Sequence, residues 1–101
     1  MFKVDISIEA QQDIDEIESY LLRKWNQDVV FSFFDLLDNA ISILELGNVY
    51  FEKYENTGYM KYLVTKHNYI VYDYQDDLLR IHRIINNFQN PDDNFKSISK
   101  Q

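Results

Sequence analysis

The sequence predicts an α+β domain of order β-α-α-β-β-β, with a two-helix antiparallel hairpin covering one face of a three-stranded antiparallel meander. Three observations predict it. A short alternating run opens the chain, two long stretches with helical apolar spacing follow, and three runs rich in Tyr, Val and Ile close it with only short polar turns between them.

FKVDISI, residues 2–8, places Phe2, Val4, Ile6 and Ile8 on one side of a strand. Ser7 then stands as an N-cap before EAQQDIDEIESYLLRKW, with Glu9 in the first turn suited to the positive end of the helix dipole. Ala10, Ile14, Ile17, Leu21 and Trp25 form one apolar stripe, so a helix runs over about 8–25. Asn26 or Asp28 caps the next helix. Val30, Phe33, Phe34, Leu37, Ala40, Ile41 and Leu44 line it, and Gly47 closes it in a left-handed conformation. Helices joined so tightly lie antiparallel.

Residues 48–58 read as a connector without period. Strands follow at 59–66, 68–74 and 78–86, with turns at His67-Asn68 and Gln75-Asp76-Asp77. On the last strand, alternation turns Leu79, Ile81, Arg83 and Ile85 towards the helices and Arg80, His82, Ile84 and Asn86 outward. After Pro91 the tail is polar, and residues 92–101 are expected to fray.

A length of 101 residues with 46% hydrophobic and 16% aromatic content gives one domain, 1–101, with one small core. Cysteine is absent, which removes disulfides, thiolate metal sites and a Cys nucleophile. The opening segment lacks the apolar core of a signal peptide, so a soluble cytoplasmic protein is expected. The net charge is −7, and its distribution is uneven. Residues 1–58 carry 4 basic and 12 acidic residues, whereas 59–101 carry 6 and 5. Such a balance argues against non-specific nucleic-acid binding, while docking through one basic face stays open.

No phosphate-binding Gly-rich loop, zinc-ligand spacing or nucleophile elbow is present, and no metal or cofactor is expected at His67 or His82. The chemistry-bearing set is cationic: Lys61, Lys66, Arg80, His82 and Arg83, with Tyr59, Tyr62, Tyr69, Tyr72 and Tyr74 nearby. It suits either stabilisation of a phosphorane and proton transfer in RNA cleavage, or binding of a carboxylate-rich protein surface. The alternatives are structural. Arg83 reads equally as the ion-pair partner of a helix carboxylate, and the tyrosines as sheet packing.

The order of elements, with three motifs, resembles the RelE/ParE superfamily of toxins from type II toxin–antitoxin systems. Ser7, Ala10, Asp13, Ile14, Ile17 and Tyr20 match its opening, GYMKYLVTKHNYIVYDY resembles its central hairpin, and IHRIINNFQNP its closing strand. The resemblance spans about residues 3–91. It implies a growth-inhibiting toxin of the plasmid-stabilisation type, held in a hetero-oligomer by a cognate antitoxin, with no membrane partner. RelE-like members cleave mRNA in the ribosomal A site without a metal, whereas ParE-like members poison DNA gyrase. If the chain is RelE-like, Arg83, Lys61 and His82 are the catalytic candidates; Lys66, Arg80, Asn86 and Gln89 are candidates for target binding. The chain departs from the nuclease pattern, however. Met60-Lys61 stands where relatives carry Arg, and Arg83, Asn86 and Phe88 stand where the closing strand often reads Arg-x-x-His-x-Arg. With a net charge of −7, these departures favour a non-catalytic ParE-like toxin acting on gyrase. The alternatives are a RelE-like ribosome-dependent nuclease and an inactive relative that only binds antitoxin.

Overall fold

Two capped helices set the frame, in a computed structural model that describes residues 1–47 and 51–86. The Ser7 hydroxyl accepts from the Ala10 amide at 3.0 Å and starts α1, Ile8–Lys24. Asn26 does the same for Val29 at 3.1 Å and starts α2, Gln27–Leu46. Gly47 ends α2 with φ +76°, and its N–H donates to the Leu44 carbonyl. Both helices thus lie where their periodicity and caps place them.

A Cβ at Gly47 would sit 2.8 Å from Cε2 of Phe2, whose ring packs on Tyr74 with centroids 4.3 Å apart. Gly47→Ala combines an unfavourable φ with a displaced Phe2. It is expected to cost about 1–2 kcal/mol, read from denaturant unfolding.

The strands are β1 Lys3–Ile6, β2 Glu52–Lys53, β3 Met60–Thr65, β4 Asn68–Gln75 and β5 Leu78–Asn86. They form one mixed sheet in the order β1-β5-β4-β3-β2, in which β1 is parallel to β5 and the other pairs are antiparallel. The three-stranded meander is therefore widened on both sides. β2 comes from the segment read as a connector, where a strand of two residues leaves no periodic signal. Ile8 is not on the strand face; it opens α1 and is 70% exposed. Of the 48–58 connector, residues 48–50 lie outside the described residues, as does the tail expected to fray.

One face of the sheet takes the helices. Ile70, Tyr72, Leu79, Ile81 and Ile84 pack there with Ala10, Ile17, Leu21, Val30, Phe33, Leu37, Ala40 and Leu44. The outer face is thereby left to Tyr69, Val71 and Asp73 of β4 and to Arg80 and His82 of β5.

A β-bulge corrects the alternation read along the last strand. Val71 pairs with Arg83 and Tyr72 with Ile81, so His82 is the extra residue. His82 and Arg83 consequently share the outer face, and Ile84 becomes the 2% exposed core residue where Ile85 was expected. The bulge sits where β1 stops pairing with β5. Beyond it, side chains from the start of α1 satisfy the edge of β5. Ser7 Oγ donates to the His82 carbonyl at 2.7 Å, and the Ile84 N–H donates to Asp13 Oδ2 at 2.9 Å.

Candidate functional site

The outer face gathers most of the candidate residues around one carboxylate. The two-residue turn at 76–77 pairs Asp73 of β4 with Arg80 of β5, and Asp76 supplies the left-handed residue of that turn at φ +56°. Arg80 grips Asp73 with two nitrogens, Nε donating to Oδ1 at 2.9 Å and Nη2 to Oδ2. His82 Nε2 lies 2.9 Å from the same Oδ1. The Asp73 side chain is 16% exposed and that of His82 25%. The hydrogen bonds from Arg80, helped by His82, hold the Asp73 carboxyl below its ordinary value against the opposing effect of burial.

The loop after β2 lays two tyrosines over this face. It closes through the Tyr54 N–H on the Tyr59 carbonyl at 3.0 Å, and Thr57 Oγ1 donates to the Tyr54 carbonyl at 2.6 Å. The Tyr59 ring stacks on His82, with centroids 4.3 Å apart and planes 29° from parallel. The Tyr54 ring meets Tyr69 at 5.9 Å, and Lys61 Nζ lies 5.5 Å from the Tyr69 centroid. Burial, then Tyr54, pushes the Tyr69 phenol up to about 12, so it stays protonated and serves as packing and as a donor. Val71, beneath this layer, is only 2% exposed although it faces away from the helices.

The other candidates are placed differently. Arg83 turns to α1, where Nε and Nη2 donate to Asp13 Oδ2 and Oδ1 at 2.7 and 2.8 Å. This is the helix-carboxylate pairing that competed with a catalytic role for Arg83. Lys66 is exposed in the β3–β4 turn. Asn86 ends β5 and accepts from Asn68 Nδ2 at 3.0 Å, which places it in a polar cross-strand pair. Gln89 lies outside the described residues. Arg80 and His82 are thus joined through Asp73, with Lys61 on the same face; Arg83, Lys66 and Asn86 are not part of that group. Asp73 and Tyr54 escaped the sequence reading. Asp73 is the one carboxylate inside the apolar run YIVYDY, and the turn that follows it puts it opposite Arg80.

Asp73 links this site to acid stability. Its depressed value means that the folded carboxylate stays ionised where the unfolded one, near 3.8, begins to take up a proton. Its contribution is therefore complete above the ordinary carboxylate range and is lost as the pH falls below it. Between about pH 5 and about pH 3, the unmodified chain is expected to lose more stability than Asp73→Asn, read from unfolding curves at each pH.

The negative charge belongs mainly to the other layer. Residues 8–46, the two helices and their joint, carry nine acidic and two basic residues. This equals the excess of the whole chain, so the net charge says little about the outer face of the sheet.

No family model matches the sequence, and no curated protein matches it at a significant level. Solved structures do match the fold. A copper-bound mutant toxin from Helicobacter pylori superposes with a TM-score of 0.62 at 19% identity, over 85% of this chain and 94% of that one. YafQ from E. coli strain BL21(DE3) gives 0.56 at 18%, over 85% and 93%. The E. coli DinJ-YafQ complex gives 0.58 at 17%, over 86% and 94%; a second structure of it is described as a toxin–antitoxin complex. At these identities the likeness is one of fold alone.

Proposed function

We propose that this chain is the toxin of a type II toxin–antitoxin module, neutralised by a cognate antitoxin, and that it acts on ribosome-bound mRNA rather than on gyrase. The shared fold with YafQ, which is found in complex with DinJ, supports a toxin with a protein partner. The observation that carries the RNA reading is the outer sheet face. There Tyr59 stacks on His82 and Lys61 lies over Tyr69, with Arg80 and Asp73 beside them. Exposed aromatic rings interleaved with cations are the means by which proteins hold unpaired bases and their phosphates. One argument that favoured gyrase loses weight: the negative charge lies on the helices.

The test is 5′-end mapping of a reporter mRNA in a reconstituted translation reaction with and without the protein. Discrete cuts at A-site codons are expected. An intact message with normal protein synthesis would overturn the RNA reading, and inhibition of DNA supercoiling would then support gyrase. Inertness in both assays, with tight antitoxin binding, would identify an inactive relative.

A further inference from the structure

We infer that the loop 54–59 is a cover that shuts the outer face in the free protein, with Tyr59 and Tyr54 seated on His82 and Tyr69 where the bases of a substrate strand would stack. The inference rests on the RNA-directed reading above and adds a regulation to it. The loop must lift before this face can take an unpaired base.

The places of the bases are already filled. Each of His82 and Tyr69 carries a ring from the loop: Tyr59 lies on His82 with centroids 4.3 Å apart and planes 29° from parallel, and Tyr54 on Tyr69 at 5.9 Å. A near-parallel stack on a flat side chain is the contact that an unpaired base would make there. The loop brings a negative charge as well. The Glu55 carboxylate is close enough to Tyr69 to help hold its phenol up, after burial and Tyr54, and Lys61 Nζ lies 5.5 Å from the centre of the same ring. A ring and an anion are what a nucleotide would present to this face. Beneath them Val71 is only 2% exposed, although it points away from the helices.

The loop is also lightly held. Its hydrogen bonds close on itself: the Tyr54 N–H donates to the Tyr59 carbonyl, and Thr57 Oγ1 donates to the Tyr54 carbonyl at 2.6 Å while accepting from the Tyr59 N–H at 3.1 Å. Among the described residues no backbone hydrogen bond joins it to β4 or β5. The strand that leads into it, β2, pairs with β3 over Glu52 and Lys53 alone, and both are exposed. A Cβ at Gly58 would meet nothing within 4 Å, so the tip stands clear of the sheet. Glu55 holds a left-handed φ of +55°, which a non-glycine residue adopts at a cost. Such a segment opens more readily than the strands under it. A site open for only a fraction of the time binds with its affinity reduced by that fraction. Removing a seated ring therefore strengthens binding, whereas removing a stacking platform weakens it. A loop that only completed the fold would behave differently again: its variants would lose stability and gain no affinity.

The experiment reads the cover without RNA and then with it. Without RNA, His82 is modified with diethyl pyrocarbonate and followed by mass spectrometry, with His67 in the β3–β4 turn as the internal reference. Its modification is expected to be about 3-fold faster or more in Tyr59→Ala, and to stay slow in Tyr59→Phe, which keeps the ring. On ribosome-loaded mRNA, the protein concentration for half-maximal cleavage is expected to fall about 3-fold to 10-fold in Tyr59→Ala, the factor that one ring stack is worth. Thr57→Ala changes an exposed position and keeps both rings, and it should move both readings the same way by about 2-fold. That variant carries the test if Tyr59→Ala does not fold. Unchanged His82 reactivity in the folded variants, or a higher half-maximal concentration in Tyr59→Ala, would overturn the cover and leave the RNA reading intact. Absence of cleavage by every variant and by the unmodified protein would overturn both.

Discussion

Asp13→Ala is expected to destabilise the fold by about 2 kcal/mol, a fall in melting temperature of about 10 °C for a domain of this size. Asp13 is 11% exposed at its side chain and accepts three hydrogen bonds, two from Arg83 and one from the Ile84 amide. Removing it strands that amide beside a core residue that is 2% exposed, and an unmade hydrogen bond to a buried group costs more than a made one contributes. The control is Arg83→Ala. The Arg83 side chain is 50% exposed, and an ion pair so open to water is worth at most about 1 kcal/mol. Asp13 would still hold Ile84 in that variant. Thermal melts of the two variants decide the matter: similar losses would mean that the ion pair, not the amide, is what Asp13 contributes.

Leu44→Ala is the larger loss, about 3 kcal/mol, and leaves a chain of this size with little stability. Leu44 is fully buried and sits where α2 ends on the sheet. Its backbone is committed as well, since its carbonyl accepts from Gly47 N at 3.0 Å and from the Tyr74 hydroxyl at 2.7 Å. With the backbone held from both sides, the helix end cannot sink into the space left by the missing side chain, so most of the cavity remains. Leu36→Ala, on the same helix but 47% exposed, should change stability by less than about 1 kcal/mol in the same denaturant titration.

These effects were unequally legible in the sequence. Ser7, Asn26 and Gly47 announce the helix ends because capping is decided within a few residues, and the apolar stripes announce which faces are buried. The order of strands β3 to β5 follows from their short turns. The parallel placement of β1 beside β5 has no local signal, because it is a long-range consequence of the helices crossing one face of the sheet. The bulge was half legible. In RIHRIIN a polar pair, His82-Arg83, precedes an apolar pair, Ile84-Ile85, which breaks a strict alternation, yet no Gly or Pro marks the place. What stabilises the irregularity is Ser7 and Asp13, and their reach to β5 is invisible until the fold is known. Strict alternation therefore assigned Ile85 to the core where the bulge puts Ile84. Net charge carries little about the target for a related reason: it averages an acidic helix layer with a sheet face that does not share its sign.

The completion of the β5 edge by Ser7 and Asp13 also has a consequence for the order in which the molecule comes into being. Those hydrogen bonds join residues 70 to 75 positions apart, from one end of the domain to the other. During synthesis the capped helices can form early, since their contacts are local. The first strand and the start of α1 must wait with unmatched polar groups until β5 emerges. The outer face, with its tyrosines and its histidine, is assembled by the same late strand. Whatever this surface does to its target, it cannot begin before nearly the whole domain has been made.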